Sequence, residues 1–317
     1  METHYVAYGL AIRSSFRLPG MVPGEEEALP LLALELVTGP ELAMAWSGSD
    51  DPPLWRGRLG DGSDLTIESG TTGDVLFTNG DRACFRLDPG GRSIVCAPRR
   101  PGLDWQRTLL TKVLSSISVI RGYEALHASA VESPYGAVAI AAPTGMGKTT
   151  LALELMRRGS RLLSDDVLAL AATPDGVLAY PGTPHMNVAA SQPVGLVTDD
   201  IGRTLGVLGG ERWVAAREPA REARPLHAIC LLERSPELQL DVQVLPSSPL
   251  PLAPYMLGLL DGSERERTRF DLYGDLMASA ALMRVTSGLT DRPADIADLI
   301  EGALADRPVA PALAGTP

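Results

Sequence analysis

Short apolar runs such as Leu65-Thr66-Ile67 and Cys84-Phe85-Arg86-Leu87 alternate with turn chemistry through the first hundred residues. The turns are Asp61-Gly62, Thr72-Gly73, Asn79-Gly80 and Pro89-Gly90-Gly91, so the spacing predicts a small β-rich N-terminal domain over residues 1–102. Asn79-Gly80 is the strongest hairpin signal, because both residues tolerate the positive φ of a type I′ turn. Pro98, Pro101 and Gly102 mark the junction. From Asp104 the period changes: Trp105, Leu109, Val113, Ile117 and Ile120 recur every three or four residues up to Gly122, which predicts an amphipathic helix.

The helix leads into an apolar run from Leu126 to Val131, a Ser133-Pro134-Tyr135 turn, and a second run from Ala137 to Ala142 that reads as a buried strand. Thr149 to Arg158 is helical, with Leu151, Leu155 and Met156 on one side and Gly159 at its end. Leu162-Leu163 starts another strand that reaches Ser164-Asp165-Asp166 and continues through Val167 to Ala172. Strand, loop, helix and strand in that order make a βαβ unit, so residues 103–308 read as an α/β domain. Leu226 to Leu232 adds a strand, Ala294 to Ala303 a closing helix, and residues 309–317 a tail.

Size and composition narrow the class. A chain of 317 residues, 45% hydrophobic and 21% charged, is long and apolar enough for two globular units. Its net charge of −11 disfavours nucleic acid and anionic membranes as partners, and no apolar run is long enough to predict a spanning helix. Cys84, Cys96 and Cys230 show neither zinc-ligand nor redox spacing; a reduced cytoplasm fits them best. Homo-oligomerisation is left open.

The chemistry concentrates in one loop. Ala142-Pro143-Thr144-Gly145-Met146-Gly147-Lys148-Thr149 matches the Walker A pattern except for Ala142 at the first position, and Thr150 follows. Gly145 and Gly147 let successive backbone N–H groups turn inward around an anion, Lys148 brings charge to the β and γ phosphates of ATP, and the Thr149 hydroxyl is placed to ligate Mg²⁺. Thr144, Met146 and Thr150 complete the expected nucleotide-binding segment. Asp165 and Asp166 end the next strand, where one carboxylate can serve the metal and the other take a proton; the residues alone do not divide the roles. By itself His127, in an apolar run, reads as a satisfied core histidine, and His4, His185 and His227 show no ligand or triad spacing.

Leu126-His127-Ala128-Ser129-Ala130-Val131, the loop Pro143 to Thr150, and Gly159-Ser160-Arg161-Leu162-Leu163-Ser164-Asp165-Asp166 together resemble the C-terminal catalytic domain of HPr kinase/phosphorylase. That family's loop is related to the one in phosphoenolpyruvate carboxykinases. The Tyr8-Gly9-Leu10-Ala11-Ile12-Arg13-Ser14 stretch is more similar to stand-alone HPr-kinase-related proteins, some of which accompany peptide natural-product clusters such as those for lasso peptides. The resemblance implies an α/β P-loop kinase domain, ATP and Mg²⁺ as cofactors, and a serine hydroxyl in a peptide or protein as acceptor. It also implies His127, Lys148 and Asp166 as catalytic residues, with Asp165 on the Mg²⁺ side and Thr149 in place of the family's metal-binding serine. Where the family carries a second metal-binding glutamate, this chain reads Tyr180 to Asn187, so neither phosphorylase activity nor HPr as partner is implied. Arg221 or Arg224 stands for the family's catalytic arginine. The variable stretch from Pro181 to Arg224 is expected near the acceptor. The alternatives are a small-molecule hydroxyl kinase on the same fold and a nucleotide-binding regulatory module without phosphoryl transfer.

Overall fold

The computed structural model describes residues 2–60, 62–257 and 263–306, and every structural statement below concerns those residues. Asp61 of the expected Asp61-Gly62 turn and the expected tail at 309–317 lie outside them. The fold is mixed α/β with three sheets.

The first sheet has eight strands: β1 (Thr3–Ala7), β2 (Leu10–Ser14), β3 (Leu31–Leu36), β4 (Trp55–Arg58), β5 (Asp64–Ser69), β6 (Val75–Asn79), β7 (Ala83–Leu87) and β8 (Ser93–Pro98). Their order is β1-β2-β3-β8-β7-β6-β5-β4, and a short helix, α1 (Gly39–Ala45), connects β3 to β4. The Asn79-Gly80 hairpin forms, but with three loop residues: Asn79 pairs with Ala83, and Gly80 alone of the two has positive φ. The reason is the Asn79 side chain, which is buried and engages Thr108 and Ser63 instead of turning. Two-residue turns with positive φ at both positions are Tyr8-Gly9, between β1 and β2, and Gly209-Gly210, between the paired Leu208 and Glu211.

The predicted helix after residue 102 is present in three pieces: α2 (Asp104–Thr108), one π-helical turn (Leu109–Val113) and α3 (Leu114–Ile120). Its apolar side packs on the inner face of the first sheet, where Trp105, Leu109, Val113 and Ile117 meet Ile12, Leu32, Phe77, Phe85 and Ile94 in one core. Ala125, Val167, Ala169 and Trp213 belong to the same core, so apolar contacts run continuously across position 102.

The remaining elements are β9 (Glu124–Leu126), β10 (Ala128–Ser133), β11 (Gly136–Ala141), α4 (Lys148–Arg157), β12 (Arg161–Ser164), β13 (Leu168–Thr173), β14 (Gly176–Tyr180), β15 (His185–Ala189), β16 (Gly202–Leu208), β17 (Glu211–Ala216), β18 (Arg224–Arg234), β19 (Asp241–Val244), α5 (Ser263–Ser279), β20 (Ala281–Ser287) and α6 (Pro293–Ala305). The long strand β18 is central: it runs parallel to β11 on one side and to β20 on the other. β12 is antiparallel to β10, which is antiparallel to β11, so the β11-α4-β12 crossover is a βαβ unit with one strand inserted between its two strands. Strands β15, β17 and β16 form a separate three-stranded sheet. No described helix is long and apolar enough to cross a membrane, and the three cysteines are free and buried.

His185 ties this small sheet to the N-terminal part: its ring stacks on Trp213 at 4.5 Å, and its Nε2 lies 2.8 Å from the Pro19 carbonyl oxygen. Burial pushes the imidazole pKa from 6.5 down to about 4, against the opposing pull of that carbonyl. The unfolded chain therefore takes up a proton at a pH where the folded chain does not. Stability from this group is complete above about pH 6.5 and falls as the pH drops toward about 4, a loss on the order of 3 kcal/mol. Denaturant unfolding across that range should show the slope, and His185→Gln, which keeps a donor for Pro19 without titrating, should remove that part of it; an unchanged slope in the variant would place the acid sensitivity elsewhere.

Candidate active site

The site lies at a seam in the nine-stranded sheet, whose order is β12-β10-β11-β18-β14-β13-β9 with β20 beside β18 and β19 beside β20. Periodicity predicts an unbroken strand from Leu126 to Val131, but the chain leaves one ladder and enters another at His127: β9 pairs with β13, whereas β10 pairs with β11 and β12. The neighbouring segment does the same at Asp165 to Val167, between β12 and β13. Ala130 is opposite Ser164 above the break and Leu126 opposite Leu168 below it, so His127 and the aspartate pair face each other across the seam. The His127 backbone N–H is satisfied by the Tyr255 carbonyl at 2.7 Å. Asp166 adopts φ +71°, a left-handed conformation that costs a non-glycine residue on the order of 1–3 kcal/mol and is characteristic of functional positions.

The glycine loop joins β11 to α4 beside this seam. Gly145 (φ +85°) and Gly147 (φ +98°) are both left-handed, and Gly147 is the N-cap of α4 without a side-chain cap, leaving first-turn N–H groups available for an anion. Nothing lies within 4 Å of where a Gly145 Cβ would be, so backbone conformation rather than crowding calls for glycine there. Lys148 is buried and donates to the Ala142 carbonyl at 2.8 Å. Burial lowers its pKa, and the charges of Asp166 and Asp165 oppose that shift.

The two aspartates have different surroundings. Asp165 is 6% exposed; its Oδ1 accepts from the hydroxyls of Ser129 and of Thr149 (3.0 Å), and its Oδ2 accepts from the Asn187 backbone N–H at 2.9 Å. Burial raises its pKa despite these donors. Asp166 is partly open, with His127 Nε2 3.3 Å from Oδ1 and the Lys112 ammonium on Oδ2. Burial opposes its ionisation, but the Lys112 charge and the bonds from His127 and Lys112 outweigh it and hold the carboxyl well below the usual carboxylate range. One acid is thus a buried acceptor wired to the loop threonine, and the other is an ionised group at the cavity wall.

A cavity of about 440 Å³ gathers these groups. His127, Thr144, Gly145, Gly147, Lys148, Thr149, Thr150, Asp165 and Asp166 all line it; Met146 does not and instead packs toward the core beneath α4. Arg221 and Arg224 do not line it either: Arg221 is exposed, and Arg224 pairs with Glu132 and Glu222. From the stretch 181–224, Asn187, Val188, Ala189, Gln192 and Glu211 contribute to the wall. Trp55 and Arg58 of β4, Leu59 and Gly60 after it, and Arg107, Thr108, Thr111 and Lys112 of the first helix line it as well.

No protein-family model matches the chain, and no curated protein matches it. Among solved structures it is similar to the Hpr(Ser) kinase/phosphatase from Coxiella burnetii, at 13% identity, covering 56% of this chain and 95% of that chain with a TM-score of 0.32. A likeness that distant carries no functional weight, and what the site can do follows from its own atoms.

Lys112 was invisible to motif reading because its partner is 54 residues away. A compositional signal nevertheless marks it. Of the 28 basic residues only two, Lys112 and Lys148, are lysine, and both line this cavity. Ser129 and Asn187 were likewise found only through their bonds to Asp165.

If Asp165 is kept for chemistry rather than for the fold, Asp165→Asn should be nearly neutral in the ligand-free protein. The amide retains an acceptor and a donor for the same partners and removes a buried charge, so stability should change by less than about 1 kcal/mol in denaturant unfolding. A loss above about 3 kcal/mol would make Asp165 part of the structural network.

Proposed function

We propose that this chain is an ATP- and Mg²⁺-dependent kinase that transfers the γ-phosphoryl group to a serine hydroxyl of a peptide or protein. The observation that carries the reading is the hydrogen bond between the Thr149 hydroxyl and the buried Asp165, set at the foot of a loop with two left-handed glycines and beside the ionised Asp166. A nucleotide phosphate site uses this donor set, and a plain strand-to-helix turn has no need of it.

The residues present fit Mg²⁺. A Mg²⁺ ion takes one or two protein oxygens and completes its shell with phosphate and water. Asp165 and Thr149 would hold it, and the buried Oδ1 of Asn187, which has no partner, is an additional oxygen at the same wall. When bound, the ion neutralises phosphate charge.

The chain's own groups do the rest. The loop N–H groups and Lys148 bind and orient the phosphates, and the start of α4 adds its favourable dipole. Asp166 takes the proton of the acceptor hydroxyl as its oxygen bonds to the γ-phosphorus and the bond to ADP breaks, while His127 supports the carboxylate through Oδ1. A peptide acceptor is supported by the extent of the lining, which continues past the loop to Asn187, Val188, Ala189 and Gln192 and to Trp55, Arg58, Leu59 and Gly60.

Lys148→Ala should lower turnover by roughly 10²-fold, by analogy with other preorganised donors, and a normal rate would remove the phosphate-loop assignment. Asp166→Asn should lower the rate by roughly 10²- to 10⁴-fold while ATP still binds. Collapse of ATP affinity with a normal rate at saturation would exchange the roles of the two aspartates. For the acceptor, mass spectrometry of candidate peptides incubated with the protein and Mg²⁺-ATP should show gain of one phosphoryl group on serine. No gain on any peptide, with phosphorylation of a free metabolite, would favour a small-molecule kinase.

A further inference from the structure

We infer that Lys112 is a positioning residue of this site, holding the Asp166 carboxylate in its working orientation from outside the α/β unit that supplies the loop. The inference rests on the kinase reading above and adds a residue to it. Each oxygen of Asp166 has its own partner, His127 on Oδ1 and Lys112 on Oδ2, so the pair fixes both the rotation and the place of the carboxylate. Asp166 is held in a left-handed backbone conformation, which persists where surrounding contacts over-determine it.

The setting of Lys112 points the same way. Leu109, Leu110, Thr111 and Val113, its companions in the π-helical turn, are buried, and Lys112 is the residue of that turn that remains partly open and lines the cavity. Single π turns within helices occur preferentially at functional sites. Elsewhere this chain meets its need for positive charge with 26 arginines and uses lysine only here and in the glycine loop. An ammonium is a compact point charge, whereas the planar guanidinium requires more room and a different partner geometry, so the choice of lysine fits a narrow site beside one carboxylate oxygen. The helix that carries Lys112 is anchored in the core it shares with the eight-stranded sheet, and that sheet thereby sets the position of Asp166.

Hydrolysis of Mg²⁺-ATP by the full chain, with water as acceptor, tests this. Lys112→Met should lower kcat by about 10²-fold with KM for ATP changed less than about threefold, because a misplaced base slows the chemical step without weakening phosphate binding. On an Asp166→Asn background the same substitution should cost less than about twofold, since a residue that acts through Asp166 has nothing further to lose. Lys112→Arg retains charge for the fold; it should lose part of kcat alone, and that loss too should vanish on the Asp166→Asn background. Failure of the wild type both to hydrolyse Mg²⁺-ATP and to phosphorylate any candidate acceptor would sink the kinase reading and this assignment with it; where an acceptor is phosphorylated without hydrolysis, the same comparisons are read on that transfer. Hydrolysis left unchanged by Lys112→Met, or losses that multiply in either double variant, would overturn the assignment of Lys112 while leaving the kinase reading in place.

Discussion

Two neighbouring segments of this chain change ladders at the same level, and the rest of the site depends on that exchange. A continuous pair of strands would send successive side chains to opposite faces and bury their backbone groups in one ladder. Here the breaks at His127 and at Asp165 to Val167 open a gap in which an imidazole and two carboxylates approach one another. At the break the segment 255–257 takes over part of the pairing: Tyr255 accepts from the His127 N–H, and Leu257 donates to the carbonyl of Ala125. The gap supplies polar groups with an address beside the glycine loop.

The seam separates the two carboxylates electrostatically. Asp165 lies deep, where burial favours its protonated form and three donors favour the charged one. Asp166 lies at the wall, where Lys112 and His127 keep it ionised. Adjacent acids in one environment would compete for a proton; here two environments set them apart, the deep one facing the loop threonine and the outer one facing the cavity. The N-terminal sheet reaches the site through the helix that carries Lys112, which packs in the core of that sheet and sets its ammonium on Asp166.

Much of this was legible in the sequence because it is local. The glycine loop, the helix after it and the Asp165-Asp166 pair each reside within a few consecutive residues, and the apolar stripe from Trp105 to Ile117 is a property of one helix. What escaped the sequence depends on pairing between distant segments. Alternation across Leu126 to Val131 reads as one strand, since nothing in six residues shows that their partners lie in two different ladders. The turn at Asn79-Gly80 is one residue longer than the dipeptide predicts, and the Asn79 side chain is committed to Thr108, a contact across 29 residues. The resemblance implies Arg221 or Arg224 at the site, but Glu132 and Glu222 engage Arg224, Arg221 is exposed, and neither lines the cavity. Lys112 had no motif to announce it, only the scarcity of lysine elsewhere.

The central claim is that the loop, Thr149 and Asp165 form one Mg²⁺-nucleotide site, and the Mg²⁺ dependence of ATP binding tests it most directly. Isothermal titration of ATP into the wild-type chain and into Asp165→Asn, each with and without millimolar Mg²⁺, separates the nucleotide from the ion. The account predicts that Mg²⁺ tightens ATP binding to the wild type by about tenfold or more, some 1.4 kcal/mol, and that Asp165→Asn abolishes this difference while retaining the weaker metal-free binding. Equal ATP affinity with and without Mg²⁺ in the wild type, or no ATP binding at all, would contradict it.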